Sequence, residues 1–316
     1  MAQSQDWLHQ LPQNLVIGLE QGSIYSLVAL GYTLVYGVLQ LINFAHSEVF
    51  MAGGFGSFLV VDAIVGNRHI SGVQVPLTVL AGLLSGAISG AAIAWLLEKV
   101  AYRTLRRNGA PKLAFLISAI GASLFLSNLA GKLFNHLKNN AFPVYFNVNR
   151  QVLKIGSAKV SLLVLIIVAT AVVMMIFLDQ LVNKTKLGRG IRAVAEDAPT
   201  AALMGIDIDK TISRTFVIGG ALAGVAGFMF GTAIGVSNLM GFTPGVKAFA
   251  AAVLGGIGNI RGAMIGGLIL GEAEVLVSAL SFVGPQWNDV VSFVVLVLIL
   301  LVRPTGILGE RLGRAA

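Results

Sequence analysis

The stretch Val160-Ser-Leu-Leu-Val-Leu-Ile-Ile-Val-Ala-Thr-Ala-Val-Val-Met-Met-Ile-Phe-Leu-Asp-Gln180 decides the fold class. Asp179, at its far end, is its one charged residue. About 20 predominantly apolar residues are what an α-helix needs to cross the hydrocarbon of a bilayer, and the segment over 160–180 therefore predicts a membrane span. Comparable segments lie at about 13–39, 47–66, 73–97, 113–131, 213–236, 244–256, 262–282 and 289–303. Between them they account for most of the 316 residues, of which 56% are hydrophobic and only 11% charged. Soluble domains carry roughly 25% charged residues, and a mean hydropathy of +0.85 excludes one here. The prediction is an all-α integral membrane protein, a polytopic helical bundle of about eight or nine membrane segments in a single domain over 1–316. No stretch is left over for a separate catalytic domain.

The seventh segment breaks the pattern. Thirteen residues of helix span only about 20 Å, against a hydrocarbon core of about 30 Å. It runs into the turn Gly255-Gly-Ile-Gly258-Asn259-Ile-Arg-Gly262. Residues 244–282 are therefore expected to form a broken or re-entrant hairpin. Its irregular backbone must lie against protein or a watery cavity, because lipid offers no hydrogen bonds.

The net charge of +8 comes from 22 Lys and Arg against 14 Asp and Glu. These cations flank apolar segments, which fits the bias toward positive cytoplasmic loops rather than a nucleic-acid surface. Three groups read as cytoplasmic: Lys99, Arg103, Arg106, Arg107 and Lys112; Lys184, Lys186, Arg189, Arg192, Lys210 and Arg214; and Arg303, Arg311 and Arg314. The segment over 132–159 is also basic, but the parity of spans places it outside, and its turn and strand-like residues, Asn139 to Phe146, suit a small external cap. Parity also puts the N-terminus outside. Residues 1–14 lack the basic region of a cleavable signal, so the first segment is expected to stay in place. With no Cys in the sequence, disulfide and thiolate chemistry are excluded.

The longest polar stretch, over 184–212, is the most informative. Asp197 is a good helix N-cap and Pro199 suits a first turn, so a short helix is expected over about 198–204, closed by Gly205. A face of small residues, Ala198, Ala201 and Ala202, has the shape to dock in a groove on a soluble partner; an ordinary connecting loop would read the same way.

Ionisable residues within spans cost about 2.5–3.5 kcal/mol each to insert, which makes them functional candidates. Here they are Glu20, Glu48, Lys247, Glu272 and Glu274. Glu48 with His46 and Asn43 reads as a polar cluster beside a translocation route, or equally as helix capping with Ser47 as N-cap and Glu48 in the first turn. Glu272 and Glu274 point to different sides of a helix, and one of them is expected to pair with Lys247. Two rows of small residues at every fourth position, Gly82/Gly86/Gly90 and Gly219/Ala223/Gly227, predict close helix packing. An Asn at a break followed by a Gly pair occurs twice, at Asn43 with Gly53-Gly54 and at Asn259 with Gly266-Gly267, which leaves an internal repeat open. His9, His69 and His136 are scattered, and no metal site is expected. No Gly-x-x-x-x-Gly-Lys-Ser/Thr phosphate loop occurs, and Gly256-Ile-Gly258-Asn-Ile-Arg261 lacks the third glycine of a dinucleotide fingerprint. If ATP drives this protein, another subunit must bind it.

Gly37-Val-Leu-Gln-Leu-Ile-Asn-Phe-Ala-His-Ser-Glu48, the 188–210 loop, Ala248 to Gly267, and Arg303-Pro-Thr-Gly-Ile-Leu-Gly309 together resemble the membrane permease of branched-chain amino acid ABC transporters. The resemblance covers nearly the whole chain. It departs at Ser47, where family members usually have Gly. What it implies is a non-enzymatic subunit of an ATP-driven importer for branched-chain or other neutral amino acids, multi-pass in the bacterial inner membrane and forming half of the pathway. Implied partners are a second, homologous but distinct permease, two cytoplasmic ATPase subunits and a periplasmic or extracellular substrate-binding protein. No cofactor is expected in this chain; ATP and Mg would sit in the partners, and no nucleic acid is involved. The 188–210 loop looks like the coupling element, with Arg189, Ala201, Ala202 and Gly205 at matching positions and Arg192 and Asp197 beside them. For a zwitterionic, apolar cargo the pathway should be mildly polar, so Asn43, His46, Glu48, Ser123, Asn128, Asn238 and Glu272 are its candidates, along with Thr33, Ser85, Ser118 and Ser127. The broken-helix turn is assigned to Gly255, Gly258, Asn259 and Gly262. A urea or short-amide permease is the nearest alternative, and a stand-alone secondary transporter using Glu20 and Glu272 a more distant one.

Overall fold

The computed structural model describes residues 2–41, 43–66, 70, 72–134, 142, 151–280 and 284–309. Its helices are α1 (Ala2–Leu39), α2 (His46–Val65), α3 (Gln74–Leu97), α4 (Arg103–Arg107), α5 (Lys112–Leu133) and α6 (Leu162–Lys184). They continue as α7 (Lys186–Glu196), α8 (Ala198–Leu203), α9 (Ile208–Ile234), α10 (Phe242–Gly255), α11 (Ile260–Ser278) and α12 (Asn288–Val302). One wider π-helical turn, Glu98–Tyr102, joins α3 to α4, so that Gln74–Arg107 is a single helical run. Among the described residues, six helices are long and apolar enough to cross a membrane: Gln10–Leu39, His46–Val65, Gln74–Arg107, Lys112–Leu133, Leu162–Lys184 and Ile208–Ile234. The fold is thus a polytopic, predominantly helical membrane protein. The six fall short of the expected eight or nine for a physical reason. Helices α10 and α12 are short, and α11 carries Arg261, Glu272 and Glu274 along its 19 residues.

The chain divides into two units, one of 1–33, 148–176 and 247–316, the other of 34–147 and 177–246. In the second unit α2, α3 and α9 pack on one another through glycine. A Cβ on Gly224 of α9 would collide with the Gly86 carbonyl of α3, and one on Gly90 with the Gly220 carbonyl. On its other side Gly224 meets Gly53 of α2, while Gly227 lies against Phe50 and Gly54. Such contacts need small residues on both helices. The Gly82/Gly86/Gly90 row is a true contact face, with Gly82 against the Phe228 ring. The row expected on α9 needs correcting: Gly220 and Gly224 meet α3, and Gly227 turns toward α2. Away from this seam α3 exposes Leu77, Leu80, Leu84 and Ile88 at helical spacing, the outer stripe that a hydrocarbon surround accepts.

In the first unit α1 packs on α11 by the same device, with Gly22 against the backbone of Gly267 and Leu268. The Ser26 hydroxyl is 2.8 Å from the Met264 carbonyl and 2.7 Å from that of Gly22. Asn259 caps α11, accepting from the Gly262 N–H at 2.9 Å. Gly256 and Gly258 take φ of +104° and +93°, values that a side chain would oppose. Gly255 and Gly262 then touch backbone to backbone, closing a tight helical hairpin. The end of α10 would leave carbonyls without intrahelical donors. The signature segment Arg303–Gly309 supplies them: Ile307 N–H donates to the Leu254 carbonyl at 2.8 Å and Leu308 N–H to that of Gly255 at 3.0 Å.

Two antiparallel strands, β1 (Gln151–Ile155) and β2 (Ala158–Ser161), precede α6. The strand-like residues expected over 139–146 lie, Phe142 apart, outside the described residues; the strands that are described sit further along. Val-Leu-Lys-Ile followed by Gly156 at φ +62° is a hairpin signal that the neighbouring apolar span obscured.

Candidate functional site

The second unit gathers a polar group at the start of α2. Asn43, His46, Ser47 and Glu48 are all buried there. Ser47 is not the N-cap. That position falls to Ala45, which makes no side-chain cap, and the Ser47 hydroxyl instead donates to the Phe44 carbonyl at 2.7 Å. Gly241 and Gly245 back directly onto Ser47, which explains why the residue there must be small. Glu48 does occupy the first turn. Its Oε1 accepts from Ser123 of α5 at 3.0 Å and lies 3.4 Å from the Ser47 hydroxyl, whereas its Oε2 is buried with no hydrogen-bond partner among the described residues. A buried carboxylate oxygen without a donor costs on the order of 1–3 kcal/mol or more, so it is a position poised to receive one.

The remaining pathway candidates do not all join this group. Asn43 turns to Tyr102, accepting from its hydroxyl at 2.6 Å; the π-helical turn carries Tyr102 inward. Asn128 is exposed on α5 and donates to the Leu124 carbonyl of its own helix at 2.7 Å. Asn238 is half-buried beside Gly131. Glu272 belongs to the other unit, where its side chain fills the space over Gly18 of α1 and its Oε2 is also buried without a partner among the described residues. The two asparagines of the internal echo play different parts, since Asn259 caps a helix and Asn43 does not.

Sequence reasoning missed part of an ionic cluster in the first unit. Lys247 reaches Glu274 rather than Glu272, and Asp289 at the start of α12 approaches the same ammonium at 2.8 Å. Tyr25 and Ser292 donate to Glu274 Oε2 at 3.1 and 3.2 Å. Four helices thus meet on one carboxylate. Ser292 carries no sequence signal, being a single polar residue in an apolar run, and Tyr25 is one of several polar residues over 21–26, with nothing in the sequence to single it out.

The 184–212 segment is a chain of capped helices. Thr185 caps α7, and Asp197 caps α8 by accepting from the Thr200 N–H at 3.3 Å and from the Thr200 hydroxyl. Pro199 stands in the first turn, and Gly205 leaves the helix at φ +83°. Asp207 caps α9, and the Lys210 N–H and ammonium hold its carboxyl below the usual carboxylate range. Arg189 is exposed, while the Arg192 guanidinium folds back onto the Val182 carbonyl and Asn183. The small-residue face needs correcting. Ala201 is turned inward, and the exposed surface is Ala202 followed by Leu203 and Met204, whose exposures are 87% and 79%. An apolar pair so bare on a rigid segment could have been found by asking which side of α8 faces α9.

Behind this segment, fully buried Glu98 binds Arg103 at 2.9 Å and Arg106 at 3.3 Å. Arg106 continues to Asp209, which also holds Arg107 at 2.7 Å. The end of the α3 run is thereby tied to the start of α9.

Residues 14–300 match the family model described as branched-chain amino acid transport system, permease component. The chain is 44% identical over 311 residues to the high-affinity branched-chain amino acid transport system permease protein LivH of Salmonella typhimurium, covering 97% of this chain and 98% of that one. It is 44% identical over 302 residues to the corresponding protein BraD of Pseudomonas aeruginosa, covering 94% and 95%. A probable branched-chain amino acid permease of Methanocaldococcus jannaschii is 30% identical over 303 residues, covering 92% and 91%.

Proposed function

Because the chain belongs to the branched-chain amino acid transport system permease family, we propose that it is the membrane subunit of an ATP-driven importer of branched-chain or other neutral amino acids in the inner membrane. The names of its relatives support that cargo over urea or short amides. Alongside a second, homologous permease the chain forms half of the pathway, and an external binding protein delivers the substrate. Hydrolysis takes place in two cytoplasmic ATPase subunits, which bind the ATP and Mg.

The observation that carries the mechanism is the exposed Leu203–Met204 pair, held out on α8 between helices that Thr185, Asp197 and Asp207 cap firmly. An apolar knob on a stiff mount is suited to a groove on a partner. Residues 184–212 act as the coupling element. Arg189, Ala202 and Gly205 lie on its accessible side, while Asp197, Arg192 and Ala201 keep its shape. Closure of the ATPases pushes this element, and the salt bridges from Arg106 and Arg107 to Asp209 pass the displacement to the α3 run.

On the substrate side, Glu48 with Ser123 and Asn43 serves the ammonium end of the zwitterion, because Glu48 Oε2 has an unmet need for a donor. Asn238, in the same unit, is a further wall residue, whereas Asn128 is engaged with its own helix. The hairpin of α10 and α11, turning at Gly255, Gly258, Asn259 and Gly262, enters the bilayer and returns, and 132–159 forms part of an external cap.

The test is reconstitution. Vesicles holding the assembled complex should take up leucine or a related amino acid only with ATP inside and the binding protein outside, and Leu203→Glu should abolish both uptake and ATPase copurification. Uptake by this chain alone, driven by a proton or sodium gradient, would refute the proposal.

A further inference from the structure

Where the end of the α3 run meets the start of α9, the second unit contains a cavity of about 470 Å³ that takes no part in the solute pathway proposed above, although the Arg107–Asp209 salt bridge of the coupling route borders it. Its walls differ in character. Trp95 and Val217 form an apolar side, and Arg103, Arg107, Lys210 and Arg214 form a basic one. Two aspartates, Asp207 and Asp209, also line it, but both are engaged: Asp209 accepts from Arg106 and Arg107, and Asp207 binds Lys210 through both its backbone N–H and its ammonium. Arg214 is left with no hydrogen bond or ion pair among the described residues. Beside the cavity, Arg106 Nη1 is buried and likewise lacks an acceptor among them. The lining therefore has a surplus of positive charge and of unmet donors.

Its depth along the helix points to the anion. The run Gln74–Arg107 has 34 residues, so its axis measures roughly 50 Å at 1.5 Å per residue. A hydrocarbon layer of about 30 Å takes up some 20 of those residues. Counted from the start of the run, that places Trp95 near the boundary and the arginines beyond it. Tryptophan favours that level of a membrane, and Lys99 stands 4.6 Å over the Trp95 ring. Below it the outward residues Leu80, Leu84 and Ile88 give an apolar track along α3.

We propose that this cavity binds the phosphate headgroup of an anionic phospholipid, with Arg214, Arg107 and Lys210 on the phosphate, Trp95 at the glycerol and the acyl chains along the exposed face of α3. A phospholipid matches both halves of the site, basic above and apolar below. A free phosphate would leave Trp95, Val217 and the leucine track without a role. The lining does not include the exposed Leu203–Met204 pair, and the proposal does not depend on which solute the protein carries.

The test uses the transporter purified in detergent, with phosphatidylglycerol, phosphatidylcholine or inorganic phosphate added, and bound lipid counted by native mass spectrometry. Wild type should hold phosphatidylglycerol in preference to phosphatidylcholine. Arg214→Gln should weaken that preference about fivefold, as expected for one charge at a membrane surface. Arg214→Lys should restore it, which also controls for folding. Equal lipid retention by wild type and Arg214→Gln would overturn the proposal. So would displacement of the lipid by millimolar phosphate, which would mark a soluble-anion site. Loss of the ATPase subunits from Arg214→Gln with lipid binding intact would show a protein contact instead, and would also overturn it.

Discussion

Lys247 Nζ lies 2.6 Å from Glu274 Oε1, with the two side chains only 7% and 3% exposed. A buried ion pair contributes little net stability compared with an apolar pair, but removing one member strands the other charge, at a cost of about 3–5 kcal/mol. Around this pair the stranding is unequal, because Glu274 keeps Tyr25 and Ser292 as donors and Lys247 keeps Asp289.

Lys247→Met should therefore lower the melting temperature of the detergent-solubilised protein by an amount consistent with about 3 kcal/mol or more. Glu274→Gln, which keeps the shape and some of the hydrogen bonds, should cost less. The double variant Lys247→Met with Glu274→Leu should recover most of the loss. A double variant no better than the worse single would show that the charges do more than neutralise each other.

Gly224 is wedged between α3 and α2, so Gly224→Val should separate both helices and remove the folded protein from membranes. A smaller overpacking event costs about 1–3 kcal/mol, and here two backbones obstruct at once. Gly121→Ala, on α5 with open space around it, should leave yield unchanged and raise stability slightly, by about 0.5–1 kcal/mol, the usual gain from Gly to Ala inside a helix. Comparing the two by size-exclusion chromatography checks that the effect comes from contact rather than from losing a glycine.

Leu203→Glu and Met204→Glu should leave the stability of the isolated chain, read from its melting curve, within about 0.5 kcal/mol of wild type, because neither side chain is buried. The same variants should fail to retain the ATPase subunits on an affinity column. Ala201→Leu should behave in the opposite way, destabilising the segment itself, since Ala201 is turned inward.

Glu48→Gln should reduce uptake at least tenfold while leaving the assembled complex intact, if its bare oxygen meets the substrate ammonium. Ser123→Ala removes a 3.0 Å hydrogen bond to the other oxygen and should have a milder effect, worth about 1 kcal/mol. The check is to measure initial uptake rate and complex yield side by side. Uptake that survives Glu48→Gln in full would leave Glu48 as a structural residue.

Asn259→Ala should cost about 1–2 kcal/mol as a lost cap, and more in hydrogen exchange near Leu308, because the same side chain donates to the Leu308 carbonyl at 2.9 Å. Asn259→Asp keeps the acceptor for Gly262 and loses the donor. It should protect the start of α11 and still expose the segment over 303–309.

Features written in local chemistry could be read from the sequence. The α8 boundaries followed from Asp197, Pro199 and Gly205, and the hairpin turn from its glycines and Asn259, because caps and positive φ depend on residues a few positions apart. The nine apolar segments correspond closely to helices. Features set by helix rotation could not be read. Whether Ala201 or Leu203 faces out depends on how α8 lies on α9, and a run of small apolar residues fits either way. The choice of Glu274 over Glu272 depends on where α1 and α12 stand. Ser47 looked like a cap because of its type, yet the chain already turns helical at Ala45 and leaves its hydroxyl for the Phe44 carbonyl.

The hydrogen bonds by which Arg303–Gly309 completes the end of α10 also set an order of events during biosynthesis. The acceptors Leu254 and Gly255 each precede their donors, Ile307 and Leu308, by 53 positions, so at about 5–20 residues per second the ribosome takes several seconds to deliver the donors after the acceptors. Through that interval the hairpin waits with bare carbonyls, needing shelter from water, translocon or chaperone. A chain that ended before residue 307 would therefore keep the Leu254 and Gly255 carbonyls without these two donors, and its joint would never lock.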